Sequence, residues 1–176
     1  MRDTTRRIIR RAQQLLHIEK LAPEAFTAFY SDNIGGRANS YFDISILTPL
    51  QAECSERKKG AVFAAADASG QIQSAIFFVW DDFDFYYFLP SRDNSNAHAG
   101  ATAMLVLHGI ELAKSMGLRF DFDGITSEER ARFMVNFGGK VGHRTIVERI
   151  SSRARALQTL KPILTRKDAT PEMYLR

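Results

Sequence analysis

Residues 60–89 read GAVFAAADASGQIQSAIFFVWDDFDFYYFL, and this stretch constrains the fold more than any other. Three β-type apolar runs, Ala61–Ala66, Gln71–Trp80 and Phe83–Leu89, are separated only by short polar turns at Asp67–Gly70 and Asp81–Asp82. Turns this short join neighbouring antiparallel strands, because a parallel connection needs a crossover of a dozen residues or more. The spacing therefore predicts a three-stranded antiparallel meander, with Pro90 expected to stop its last strand. Runs so rich in Ala, Val, Ile and Phe require cover on both faces.

The flanking segments supply that cover. Ile8, Ile9, Ala12, Leu15 and Leu16 make one apolar stripe on a first helix, with Arg6, Arg7, Arg10 and Arg11 mainly elsewhere. A short strand is expected at His17–Lys20, then a helix over Pro23–Ser31 opened by its proline and ended by Gly35 and Gly36. A third helix is expected across Ser40–Glu56, kinked or split at Pro49. Beyond the meander, a polar loop at Ser91–His98 leads into a long helix, Ala99–Met116, apolar over most of its circumference and closed by Gly117. Arg119–Asp123 reads as a strand, Ser127–Phe137 as a helix ended by Gly138 and Gly139, and Val141–Ile150 as a last strand. A basic amphipathic segment follows at Arg153–Leu164. Meander strands followed by strand–helix–strand units describe an α/β protein: a mixed, mostly antiparallel central sheet with helices on both faces.

At 176 residues with 45% hydrophobic and 25% charged side chains, the chain is an ordinary globular protein. The single Cys54 excludes an internal disulfide and a Cys-based zinc site, and it fits a reducing compartment as a spectator thiol. No apolar run approaches the roughly twenty residues that cross a bilayer, and no signal-peptide core is present, so a cytoplasmic location is expected. Charge is uneven. Residues 1–20 and residues 145–176 each carry a net +4, while residues 21–144 carry a net −4. Basic ends of this kind are either solvated helix faces or contacts for RNA or another anionic partner.

Three stretches carry chemistry. In RFDFDG, Arg119–Gly124, period-two alternation puts Phe120 and Phe122 on one face and Asp121 and Asp123 on the other. Two carboxylates at the C-terminal end of a strand that follows a helix crossover stand where open α/β sheets place ligands. They could bind or deprotonate an amine; alternatively Asp123 caps a turn and Asp121 pairs with an arginine. The loop SRDNSNAHAGA, Ser91–Ala101, opens the long helix, whose N-terminal amides suit phosphate, with Gly100 permitting close approach and Arg92 and His98 as anion contacts. In FDFYYFL, Tyr86 and Tyr87 point to opposite faces, so one hydroxyl could face a cleft and act as an acid. The histidines show no metal-ligand spacing, and no metal site is expected.

From about Arg6 to Ile150 the chain resembles the second half of FemAB/FemX-like proteins, a branch of the GNAT acyltransferase superfamily. The landmarks are RRIIRRAQQLLHIEK, the meander above, HAGATAMLVLHGIELAKSMGLRFDFDG and a helix ending FGGK. The resemblance implies a GNAT-like fold over residues 17–150, a basic linking helix over 1–16 and a basic helical tail over 151–176. It implies N-acyl transfer from acyl-CoA or aminoacyl-tRNA to a primary amine, small-molecule or peptidyl. Asp121 and Asp123 would be catalytic. Phe88, Leu89, Arg92, His98, Ala99, Gly100 and Ala101 would bind the donor, and Tyr87 and Gly124 the acceptor. The sequence departs from the family in a pyrophosphate loop reduced to Gly100 alone, and in Phe133 and Met134 where relatives carry an acidic tyrosine or a lysine. Those departures support the alternative of a catalytically silent binding module, RNA- or partner-binding through its basic ends. The resemblance covers one of two usual halves, so the stripe on the first helix would need a fold-back, a homo-oligomer or a companion chain to cover it.

Overall fold

A computed structural model of the protein describes residues 1–35, 43–95, 97–124, 127–143 and 173–175. Helix α1 (Asp3–Leu15) runs without a break into strand β1 (Leu16–Lys20). Helix α2 (Pro23–Tyr30) begins on its proline, whose missing N–H would have no helical partner in the first turn. A π-helical turn, Ser31–Gly35, extends it. A 3-10 turn at Ile44–Ile46, capped by the Asp43 carboxylate, opens helix α3 (Leu47–Glu56). The meander follows as β2 (Gly60–Asp67), β3 (Ile72–Trp80) and β4 (Asp84–Arg92). Then come α4 (Ala101–Ser115), β5 (Arg119–Asp121), α5 (Glu128–Val135), β6 (Val141–His143) and β7 (Met173–Leu175).

Five strands form one sheet in the order β1-β2-β3-β4-β5, and β6 pairs with β7 separately. The meander is antiparallel as its turns require, and β1 joins it antiparallel to β2. β5 lies parallel to β4, reached by the α4 crossover. On one face Phe78 and Phe85, with Phe122 just past β5, pack with Met134 of α5, Leu105 of α4 and Ile9 and Ala12 of α1. The other packs Val62, Ala75 and Phe77 against Phe26 of α2 and Leu47 of α3. Gly109 sets how closely α4 approaches: a Cβ there would lie 2.7 Å from Phe78 Cε1, so only glycine lets the helix rest on β3 at this point.

The structure corrects several sequence-based boundaries. Pro90 does not stop the third meander strand, which continues to Arg92. The Asp93 N–H donates to Gln73 O, and antiparallel alternation from that bond turns the Pro90 nitrogen away from β3. It points to the side where β5 has already left, so no ladder bond is lost. Pro49 neither kinks nor splits α3, because it falls in that helix's first turn. α4 starts at Ala101 rather than Ala99, and β5 ends at Asp121 rather than Asp123. The expected strand at Val141–Ile150 is seen as Val141–His143; its remainder and the segment Arg153–Leu164 lie outside the described residues.

The stripe on α1 is covered from within the chain. Ile9, Ala12 and Leu16 are buried, and α1 lies across the start of α4. Only Ile8 and Leu15 on its flank remain exposed.

Candidate functional site

The site begins with a fault in the β3–β4 ladder. Phe77 pairs with Leu89 and Phe78 with Tyr87, so the register slips by one residue at Phe88, a bulge in β4. A bulge bends its strand and sharpens the twist. Parallel pairing with β5 extends only from Asp84 to Tyr86, which leaves the edge of β4 from Tyr87 onward open among the described residues. Asp84 and Arg119 pin the paired end: the guanidinium grips both carboxylate oxygens, with Nη2 to Oδ2 at 2.6 Å. The two strands are thus tied at one end and divergent at the other.

A cleft of about 220 Å³ lies at the divergent end, lined by Tyr87, Pro90, Ser91, Arg92, Asn94, Thr102 and Arg130. Three elements build it. β4 contributes Tyr87 on the α4 side of the sheet, 8% exposed, its hydroxyl pKa pushed above the ordinary tyrosine range by burial against a smaller opposing pull from Arg130. α4 contributes its N-terminus. The first intrahelical bond runs from Met104 N–H to Gly100 O, and Ala101 N–H donates to His98 O, so Thr102 and Ala103 present the amides ahead of the ladder. α5 contributes Arg130, carried in the first turn behind an Ser127 cap whose hydroxyl accepts from the Arg130 N–H at 3.2 Å. Two guanidinium groups, a helix N-terminus and a hydroxyl form an anion-favouring recess.

The loop before α4 is held by its own hydrogen bonds. Arg92 Nη2 donates to Ala97 O at 2.9 Å. His98 Nδ1 accepts from the Gly100 N–H at 3.1 Å, and the His98 N–H donates to Gln73 Oε1 at 3.1 Å. Asn94 bonds Asn33 in the π-turn, its N–H donating to Asn33 Oδ1 at 3.0 Å.

The structure distributes the sequence-predicted residues over different places. Tyr87 and Arg92 line the cleft; Thr102 and Arg130 line it too and were not predicted. Phe88 and Leu89 direct their side chains into the opposite cluster, where the Phe88 ring meets Phe77 edge-on at 5.7 Å, so the gap side receives their main chain only. His98 organises the start of α4. Gly100 meets α1: a Cβ there would stand 2.8 Å from Ile8 O and 2.9 Å from Ala12 Cβ. Its missing side chain thus has a packing reason whatever else it serves. Ala101 is buried as the first residue of α4, and Ala99 is exposed just before it.

At the end of β5, Phe120 and Phe122 share a face as alternation requires, their rings 5.0 Å apart, and Phe122 lies 6.2 Å from the Tyr87 ring. Asp121 is 2% exposed, and its Oδ1 accepts from the Asp123 N–H at 2.8 Å. That bond holds Asp123 in the left-handed region at φ 61, with Gly124 following at φ 121. Neither aspartate is among the residues lining the cleft. Asp121 sits opposite Tyr86 in the β4–β5 register, on the α2–α3 side of the sheet, whereas Tyr87 faces α4. Tyr86 spends its hydroxyl on Asp81, donating to Oδ2 at 3.0 Å; burial first, and then this bond, push its pKa up to about 12.

Arg130 had a sequence signal. Ser127, Glu128 and Glu129 suit a helix start, but an arginine in the first turn opposes the helix dipole and calls for an anionic neighbour. Among the described residues no group of three or more His, Cys, Asp or Glu could hold a metal ion, and no helix is long and apolar enough to cross a membrane. Cys54 is half-buried, and burial pushes its thiol pKa up, away from a reactive thiolate.

No protein-family model matches the sequence, and no curated protein matches it. Solved structures do. The histone acetyltransferase HPA2 and related acetyltransferase of Corynebacterium glutamicum superposes with TM-score 0.60 at 14% identity, over 92% of this chain and 94% of its own. A spermidine/spermine N-acetyltransferase from Vibrio cholerae gives 0.58 at 9% identity, over 93% and 91%. A predicted acetyltransferase from Clostridium acetobutylicum, solved with acetyl-CoA, gives 0.57 at 11% identity, over 78% and 95%. At such identities the likeness concerns architecture, and the architecture of this chain is the GNAT fold of those acetyltransferases.

Proposed function

We propose that the protein is an N-acyltransferase that moves an acyl group from an acyl-CoA to a primary amine. The observation that carries this reading is the cleft where β4 and β5 diverge, with Arg92, Arg130 and the α4 amides at its mouth and Tyr87 in its wall. A phosphate-rich thioester suits such a recess. Its anionic part would meet the guanidinium groups and the helix N-terminus, and its acyl end would enter between the strands. Acyl-CoA is preferred to aminoacyl-tRNA as donor because structural neighbours are acetyltransferases, one of them solved with acetyl-CoA. Membership of the FemAB branch is part of the proposal and rests on the order of the sequence landmarks.

The chemistry divides between the two faces of the sheet. The amine nitrogen attacks the thioester carbonyl carbon, the C–N bond forms and the C–S bond breaks. Beyond Tyr86, where β4 parts from β5, the main chain of β4 would meet the oxyanion. Burial keeps the Tyr87 hydroxyl protonated at neutral pH, so it can give its proton to the departing thiolate and cannot serve as a base. Asp121, on the face away from Tyr87, and Asp123, bonded to it, would take the proton released by the ammonium.

Thermal-shift titration with acetyl-CoA and longer acyl-CoA esters tests the donor. A saturable rise in Tm is expected, equivalent to about 2.7 kcal/mol at a hundred times Kd. Arg92→Ala with Arg130→Ala should abolish the rise, while the free protein loses no more than the exposed Arg92–Ala97 bond and still unfolds cooperatively. No shift with any ester would overturn the donor assignment.

One observation favours a second reading. Asp121 commits an oxygen to the Asp123 turn, and neither carboxylate lines the cleft, as a silent binding module would allow. Donor binding without acylation of any amine in a polyamine, amino-acid and peptide panel would select that reading.

A further inference from the structure

Helix α1 is built with two unlike sides. At 3.6 residues per turn, Thr5, Ile9, Ala12 and Leu16 gather on one side, and all four are buried. Arg6, Arg7, Arg10 and Arg11 occupy an arc of about 140° on the opposite side, and all four are exposed. Among the described residues, the one ion pair on this face joins Arg6 to Asp3 at 3.6 Å between well-exposed side chains. Arg6 with Arg10 and Arg7 with Arg11 are like charges at i, i+4, which destabilise a helix. Arg6 and Arg7 also lie near the positive end of its dipole. The arrangement works against the stability of α1, yet the helix beneath it is locked to α4 through Ile8, Ala12 and Gly100. A rigid, self-repelling arginine face has a use once an anionic lattice lies against it.

We propose that this face docks on the phosphate backbone of a double-helical nucleic acid. Its four charges fall within about 7.5 Å of helix axis, close to the density of a duplex, which carries one charge per ~1.7 Å. Each guanidinium fork pairs with phosphate oxygens in two-point geometry. No aromatic side chain occurs in α1, so the stacking platform that holds single strands is missing. A lipid surface is a poorer fit, because a helix lying in a membrane needs its apolar side free and α1 has buried that side against α4. The contact is to backbone alone and carries no base readout.

Fluorescence anisotropy with a labelled 20-base-pair DNA duplex, and an RNA duplex of the same sequence, tests the proposal on the full chain. Both should bind at 50 mM salt and lose roughly 100-fold in affinity by 200 mM, as expected for about four phosphate contacts. R7Q with R10Q should lower the slope of log K against log salt by about two, and R6Q/R7Q/R10Q/R11Q should abolish binding. The quadruple variant should keep or raise its Tm, which separates a lost contact from a lost fold. Failure to bind at 50 mM, full binding by the quadruple variant, or a tenfold preference for one duplex would overturn the proposal. So would tighter binding to phosphatidylserine vesicles, or arginine-dependent self-association of the chain in sedimentation without duplex binding.

Discussion

Replacing Gly100 by alanine distinguishes two reasons for a glycine at the head of α4. The backbone there has φ −97°, a conformation any L-residue adopts, so the substitution adds a methyl group and no torsional strain. That methyl would meet Ile8 O at 2.8 Å, Ala12 Cβ at 2.9 Å and Ile8 Cγ2 at 3.0 Å. Two of these atoms belong to rigid parts of α1, a main-chain carbonyl and a Cβ, so the helix as a whole must lift. Overpacking of this kind costs about 1–3 kcal/mol. For a chain of this length that corresponds to a fall in Tm of roughly 2–12 °C. Lifting α1 also opens Ile9 and Leu16 to water, which places the expectation in the upper half of the range. Differential scanning calorimetry of the free protein measures it, and hydrogen exchange along residues 5–16 shows whether α1 is the part released. An unchanged Tm combined with weakened acyl-CoA binding would refute the packing argument and return Gly100 to the donor site alone.

Other perturbations follow from the same geometry. Gly109→Ala drives a methyl group to 2.7 Å from Phe78 Cε1 and 3.0 Å from Phe120 Cε2, and should lower stability by about 1–3 kcal/mol in chemical denaturation, because ring and helix are both fully packed. Arg119→Ala strips two charged hydrogen bonds from the buried Asp84 carboxylate; about 1.5 kcal/mol is expected, since the guanidinium is half exposed, and adding Asp84→Asn should recover part of it. Tyr86 has a folded-state pKa of about 12 against 10 in the unfolded chain, so its contribution is fully present below pH 10 and lost as pH rises from 10 to 12. Tyr86→Phe should therefore show a shallower loss of stability across that window, and identical slopes for the two proteins would exclude the raised Tyr86 pKa as its source.

The meander was legible because its signal is local. Two-residue and four-residue turns leave an antiparallel connection as the sole solution, and β2, β3 and β4 pair as the turns demand. Pro90 misled for a physical reason: proline ends a strand only when its nitrogen faces a partner, and which edge it faces depends on β5, some thirty residues later in the chain. The fate of the α1 stripe was equally non-local. An amphipathic helix announces that one side needs cover, but the complementary notch at Gly100 is written in another part of the sequence, where it reads as a phosphate-loop glycine.

The same distinction explains what was legible of the site. Tyr87 and Arg92, expected on the acceptor and the donor side, line one and the same cleft, each from a segment whose local pattern points at one. Thr102 and Arg130 were not predicted: Arg130 stands out locally only as an arginine in a helix's first turn, and it is the fold that brings both side chains to the cleft. Alternation along RFDFDG correctly separated the phenylalanines from Asp121, but it could not say which face of the sheet would hold the cleft. The answer follows from the β4–β5 register: Tyr87 faces α4, and Asp121, opposite Tyr86, faces the other way. Among the described residues, β4–β5 pairing stops beyond Tyr86, where the Phe88 bulge turns β4 aside, and that gap joins the two sides. A donor held from the α4 face and an amine arriving from the α2–α3 face would meet there, so a bulge of one residue would govern whether the two halves of the site can act on each other. Deleting Phe88 would restore the ladder register and close that passage, and it should abolish acyl transfer while leaving the Arg92–Arg130 recess able to bind the phosphates of the donor.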